Sequence, residues 1–165
     1  MSELTERPDI DIRWHDGDRA ALRDLFALAE DSAEQLDRYL DLGRVLVAIE
    51  EGTIVGHLQL VDGHDAAEAE LQSMAVAEHR QRRGIGRALV ERAVAACRVR
   101  GVRRLLVATA AADIANLRFY QRVGFRMLRV ERDAFTASEG YPDGLLIDGI
   151  PLRDRVWFSM SLDVL

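Results

Sequence analysis

The chain has 165 residues, 22 basic and 28 acidic side chains, a net charge of −6 and 48% apolar residues, which predicts one domain with a real core and excludes a broad nucleic-acid-binding surface. No run approaches the ~20 apolar residues of a membrane span, and the start, Met1 to Arg13, is polar and acidic, unlike a secretory signal. The single cysteine, Cys97, excludes an internal disulfide and fits a reducing cytosol, so a cytoplasmic protein is expected.

Ile10 to Arg13 reads as a first strand. Asp18 is a candidate N-cap for a helix through about Glu30, with Leu22, Leu25, Phe26 and Ala29 on one stripe. Asp31-Ser32 breaks the chain and restarts a second helix to about Leu42, which Gly43 ends. Val45 to Ile49 predicts a buried strand, and Glu51-Gly52 turns it into Ile54 to Val61 as a hairpin. After a turn at Asp62-Gly63, Glu68 to Val76 is the next strand. Gly84 to Val99 predicts a helix with Ile85, Leu89, Ala93 and Ala96 facing inward.

Arg104 to Ala108 is a short apolar strand, Asp113 caps a helix to about Val123, and Phe125 to Glu131 begins another strand. Between Arg132 and Asp154 lies a Gly-, Pro- and Asp-rich loop of about twenty residues, long enough to be functional or disordered. In the last strand, Arg155 to Leu162, the apolar Val156, Phe158, Met160 and Leu162 alternate with Trp157, Ser159 and Ser161. The order is a strand, two helices, a run of up to four strands, then helix, strand, helix and two strands. It predicts one α/β domain over 1–165, with a mixed sheet and helices on both faces.

The most informative stretch is Gln81-Arg82-Arg83-Gly84-Ile85-Gly86-Arg87, between a strand and an amphipathic helix. Two glycines one residue apart let backbone N–H groups approach a phosphate without a Cβ in the way. The helix adds its unpaired first-turn donors and the positive end of its dipole. Arg82, Arg83 and Arg87 surround the nest with cations suited to phosphate oxygens. A Walker A loop would need Lys-Ser or Lys-Thr after the last glycine, and here Arg87-Ala88 follows. A dinucleotide fingerprint would need Gly or Ala where Leu89 stands, and an acid at the end of the next strand, where Thr109 stands. A pyrophosphate cradle of another kind remains.

Gln81, Gly84 and Gly86 resemble the Gln/Arg-x-x-Gly-x-Gly/Ala pattern of the GNAT superfamily of N-acetyltransferases. Asn116 to Phe125, which contains Tyr120-x-x-x-Gly124-Phe125, resembles that family's fourth-helix stretch, in the expected order after the cradle. The resemblance covers roughly residues 8 to 132 and the rest more loosely, with an acceptor-side loop at 133–154 and a final strand at 155–163. It implies acetyl-CoA as cosubstrate, no metal, an amine acceptor, and admits a homodimer. It places the acetyl-CoA pyrophosphate on residues 81–87, and pantetheine on the backbone of Met74, Ala75 and Val76 and on Asn116. The family's frequent Asn lies seven residues before the Tyr, where this chain has Asp113.

Acetyl transfer to an amine needs a neutral nucleophile. A lysine-like amine at pH 7 lies ~3.4 units below its pKa, so neutralising it costs about 4.6 kcal/mol, which a general base can help supply. The oxyanion needs a donor and the departing thiolate a proton. By resemblance Glu70, fourteen residues before Gly84, is the candidate base; read alone, it is also a solvated strand-edge carboxylate whose alternation partners are Gln72 and Met74. Tyr120 is the candidate acid, or else a ring packed beside Phe119 and Phe125. Glu30, Asp31, Glu34, Asp37 and Asp41 lie on the helical hairpin that borders the acceptor groove in the resembled family, which favours a cationic amine.

Cys97 reads as core, and His57 as a sheet-face histidine or a side chain reaching the acceptor pocket. His15, His64 and His79 have no ligand spacing. The rival function is a non-catalytic acyl-CoA-binding or sensing domain, which would keep the cradle and lose both Tyr120 and Glu70.

Overall fold

A computed structural model describes residues 9–163, so the parts of the expected single domain at 1–8 and 164–165, including the start of the leader reading, lie outside it. The first strand, β1, is Asp11–Trp14. Asp18 caps the next segment as expected, accepting the Ala20 N–H at 2.9 Å. The predicted long helix is instead a 3-10 turn, Arg19–Leu22, continued by a short α1, Arg23–Ala27. Leu28 and Ala29 bond back only three residues, to Leu25 and Phe26, which tightens the last turn. Ser32 then adopts extended dihedrals and caps α2, Ala33–Tyr39, through the Gln35 N–H. An extended cap cannot sit inside a helix, so α1 must stop before it.

The following strands are β2 (Arg44–Glu50), β3 (Thr53–Asp62) and β4 (Glu68–Val76). The central run therefore holds three strands. Next come α3 (Ile85–Val99), β5 (Arg104–Ala110), α4 (Ile114–Arg122) and β6 (Arg126–Glu131). The long loop folds a small hairpin, β7 (Leu146–Ile147) and β8 (Ile150–Pro151), before β9 (Arg155–Ser161). The main sheet has the order β1-β2-β3-β4-β5-β9-β6, and only the β4–β5 pair is parallel.

One face of the sheet packs against α3 and α4 around Leu58, Leu71, Leu89, Leu105, Tyr120 and Phe158. The other face packs against α1 and α2 around Leu22, Phe26, Leu36, Tyr39, Val45 and Val47. Burial on both faces explains why Val45-Leu46-Val47-Ala48 runs apolar without alternation. On α3 the inward stripe includes Val90, Val94 and Cys97, with Ala96 only half-buried. Cys97 is core, as expected.

Two irregularities shape the centre. Pairing between β4 and β5 runs from Glu68/Arg104 to Leu71/Val107 and goes no further, so the strands part beyond Leu71. In the same place β4 bulges: Gln59 faces Ser73 while Leu60 faces Leu71, leaving Gln72 as the extra residue. The bulge overturns the expected alternation, because Met74 joins Leu71 on the α3 side while Glu70 lies on the α1–α2 side.

Candidate active site

The parted strands make a cleft whose floor is the β4 edge from Gln72 to Val76. On its far side β4 is paired with β3 through Val76, which holds Met74, Ala75 and Val76 in extended form while their other edge faces the cleft. Asn116 approaches from α4: its Nδ2 donates to Thr109 Oγ1 of β5 at 3.2 Å. Asp113 is the α4 N-cap, accepting the Asn116 N–H at 3.0 Å. The position where the resembled family has Asn is thus committed to capping, and Asn116 is the amide beside the cleft.

At the head of α3 the cradle is open. Among the described residues, the N–H groups of 84–87, at the first turn of α3, meet no protein acceptor. Arg82 and Gly84 both have positive φ, 65° and 82°, the left-handed bends that turn successive N–H groups inward. A Cβ added at Gly84 would meet no atom within 4 Å. This fits an anion of pyrophosphate size, seated on backbone donors at the positive end of a helix.

The side chains of the cradle divide the work. Gln81 Nε2 donates to the Val76 carbonyl at 3.0 Å and ties the loop to the end of β4. Ile85 is core, so only its N–H can serve. Arg87 donates to the Arg122 carbonyl at 3.2 Å, joining α3 to α4 rather than standing over the nest. Glu50, largely buried at the end of β2, pairs with Arg80 at 3.1 Å and Arg83 at 3.8 Å. Neither Arg83 nor Gly86 has only the role expected of it: Arg83 is shared with Glu50, and a Cβ on Gly86 would stand 3.2 Å from the Phe119 ring.

Tyr120 is packed as its second reading expected. Its ring lies 5.2 Å from Phe119, 5.6 Å from Phe125 and 5.9 Å from Phe158, within the core. Burial, reinforced by the Asp113 charge, pushes the phenol pKa up, so it is protonated at neutral pH.

Glu70 lies on the opposite face of the sheet. Burial lifts its carboxyl above the ordinary range, against the charges of Arg155 and His64. Arg155 itself pairs with Glu131 at 3.0 Å and lies over the Phe135 ring at 4.8 Å. Trp157 Nε1 also donates to Glu131, at 3.2 Å.

Beyond the bulge, Ser73 Oγ and the buried His57 Nε2 are 2.9 Å apart, and the His57 ring stacks on Phe26 at 4.0 Å. Burial depresses the His57 pKa to about 3, so it is neutral. It belongs to the sheet face and has no direct reach into solvent. The sequence reading missed Tyr141, whose hydroxyl donates to Glu30, and Tyr39 close by, as well as Ser73 beside His57. The one available signal was Gly140-Tyr141-Pro142 inside an overlong loop. Among the described residues no three His, Cys, Asp or Glu side chains converge as a metal site, and no helix is long and apolar enough to cross a membrane.

Residues 11–125 match the acetyltransferase (GNAT) family. An uncharacterised N-acetyltransferase of Bacillus subtilis strain 168, YvbK, is 29% identical over 141 residues, spanning 86% of this chain and 89% of its own. A GNAT family acetyltransferase from Elizabethkingia anophelis, solved with acetyl-CoA bound, superposes with a TM-score of 0.84 at 28% identity, covering 93% of this chain and 98% of its own. A Bacillus subtilis acetyltransferase in complex with CoA gives 0.83 at 27%, covering 93% and 99%.

Proposed function

Because this chain belongs to the acetyltransferase (GNAT) family, we propose that it moves the acetyl group of acetyl-CoA to a primary, cationic amine by direct attack within a ternary complex. The observation that carries this reading is the parting of β4 from β5 beside an open helix N-terminus: the nest at 82–87 heads α3 and the β4 edge beyond Leu71 is free on the β5 side. Glu70, on the last paired stretch of β4, and the protonated Tyr120 phenol lie on opposite faces of the sheet and are the candidate base and acid.

The pyrophosphate sits on the N–H groups of Arg82 to Arg87, with the Gly84 side open to it and the Arg82 and Arg83 cations nearby. Gln81 shapes the loop and Arg87 braces the head of α3 against α4. The pantetheine arm runs along the edge of Met74, Ala75 and Val76, with Asn116 opposite. A free N–H of that edge polarises the thioester carbonyl and takes the developing oxyanion. Glu70, through water, accepts the ammonium proton; the amine nitrogen bonds to the carbonyl carbon and the C–S bond breaks. Tyr120 gives its proton to the departing sulfur and is restored by the second proton that the nitrogen sheds as the amide forms. A carboxyl whose pKa is raised is a better match to an amine proton at neutral pH than an ordinary one.

Several finer points belong to the same proposal. The acidic residues 30–41 favour a cationic acceptor. The exposed Met127, Leu128 and Val130 on β6, the outer strand of the sheet, favour a homodimer through that edge. The single, buried cysteine favours the cytoplasm.

The test is release of free CoA thiol by the purified protein with amines, polyamines, amino acids and peptides. The chain contains no lysine, so acetyl found on any lysine belongs to the acceptor. Binding of acetyl-CoA with no amine-dependent thiol release would favour the sensing domain.

A further inference from the structure

We propose that Glu30 binds the positive charge of the acceptor, and that Tyr39 and Tyr141 form the walls of that subsite. The inference rests on the acetyltransferase reading above and names the chemical class of the acceptor.

Glu30 sits in the turn between α1 and α2, yet its partner comes from 111 residues away. The Tyr141 hydroxyl donates to both carboxylate oxygens, at 3.0 and 3.1 Å. The loop is seated there by two further contacts. Gln35 Nε2 donates to the Glu139 carbonyl at 2.8 Å. Gly140, with φ of 89°, lies so close that a Cβ would stand 2.7 Å from Ser32 Oγ and 2.8 Å from Glu34 Oε2. Tyr39, on α2, stands near enough to Glu30 for the carboxylate to help raise its phenol pKa. Ser73 belongs to β4 just past the bulge, where that strand has left β5. The Glu30 turn therefore lies on the α1–α2 side of the sheet, the side that Ser73 and His57 face.

Two of its acidic neighbours on the hairpin are neutralised, while Asp31 and Asp41 stay exposed to solvent. Asp37 pairs with Arg23 at 2.6 Å and Glu34 with Arg38 at 2.8 Å. Among the described residues Glu30 has no such cation, although it is half-buried and they are exposed. A desolvated carboxylate held by a phenol and neighbouring backbone N–H groups, with no cation of its own, is stabilised by an arriving cation.

The same arrangement selects against a carboxylate beside the amine. Glu30 and Glu70 lie on the same side of the sheet. The Arg155 guanidinium, a cation on that side, is already paired with Glu131 and stacked on Phe135. Phe135 and Tyr141 meet edge to face at 5.0 Å, extending the aromatic wall. The favoured acceptor is a primary amine with an apolar or aromatic body and no α-carboxylate.

The probes are 2-phenylethylamine and phenylalanine, which differ only in that carboxylate. The expected result is at least tenfold higher kcat/KM for 2-phenylethylamine. Glu30→Gln should raise its KM at least tenfold, lower kcat less, and erase most of the preference. In parallel, calorimetric titration of the CoA-loaded protein with 2-phenylethylammonium reads binding without turnover. There Glu30→Gln should weaken affinity at least tenfold and Glu70→Gln should not. Glu30→Asp, which keeps the charge but draws it back, should lie between.

Phenylalanine preferred, no cation binding by the wild type, or affinity unchanged in both folded Glu30 variants would overturn the proposal. Amine-dependent thiol release with no dependence on Glu30 would sink this inference alone. Cation binding at Glu30 without any thiol release would sink the acetyltransferase reading alone.

Discussion

Gly86 and Phe119 share a space that only one of them can fill: a Cβ on Gly86 would lie 3.2 Å from the Phe119 Cζ. The second glycine of the cradle therefore lets α3 and α4 approach, in addition to anything it does for phosphate. Gly84 differs, with φ of 82° and open space around its missing side chain. Gly86→Ala should lose about 1–3 kcal/mol by overpacking. Gly84→Ala should lose about 1–2 kcal/mol from left-handed strain alone. Gly84→Asp should stay folded and lose acetyl-CoA binding, because its carboxylate enters the space left for pyrophosphate. Thermal melts and calorimetric titration check both; unchanged acetyl-CoA affinity in folded Gly84→Asp would remove the cradle from 82–87.

Tyr120→Phe should keep the core, since the ring contacts with Phe125 and Phe158 survive. Loss of the proton donor should lower kcat by ~10²-fold with little change in acetyl-CoA affinity. Single-turnover rates read this directly, and an unaltered chemical step would leave Tyr120 as packing only.

Glu70→Gln should reduce kcat/KM by ~10²-fold at neutral pH. The deficit should shrink toward pH 10, as the amine deprotonates unaided and the base has less to supply. A constant deficit across that range would mean that Glu70 only attracts the acceptor. No deficit would leave it a half-buried carboxylate on the sheet face, since β4 is paired on both sides there and the solvated strand edge is already excluded.

His57 makes the fold sensitive to acid. Its pKa is about 3 when folded and 6.5 in the reference state. Between those values the unfolded chain takes up a proton that the folded chain refuses, so stability falls as pH drops below 6.5. The loss from this group at pH 5 is about 2 kcal/mol. Denaturant midpoints at pH 7 and 5 should differ less in His57→Gln than in the wild type; equal slopes would show that His57 is not held neutral.

Much of this architecture is legible in local chemistry. Asp18, Ser32 and Asp113 are short polar side chains before apolar stripes, and each caps the segment expected of it. Glu68–Val76 and Ile85–Val99 fall where apolar spacing and the glycine punctuation put them. The bulge at Gln72 leaves no mark, because an inserted residue need not be glycine or proline, and its effect is to exchange the faces of every residue after it. The Tyr141–Glu30 contact is equally silent: neither residue belongs to a local pattern, and their meeting depends on how a long loop settles on a distant hairpin. Arg87 shows the same limit, since its charge pointed to phosphate and its partner is a carbonyl on another helix.

The central claim is direct transfer from acetyl-CoA to an amine while both are bound. The single thiol, Cys97, is 1% exposed, and the chain has no lysine to carry an acyl group. Initial rates with acetyl-CoA and an accepted amine both varied should give intersecting reciprocal lines, with the acetylated amine recovered by mass spectrometry in amounts equal to the thiol released. Parallel lines together with a stably acetylated protein would contradict the account.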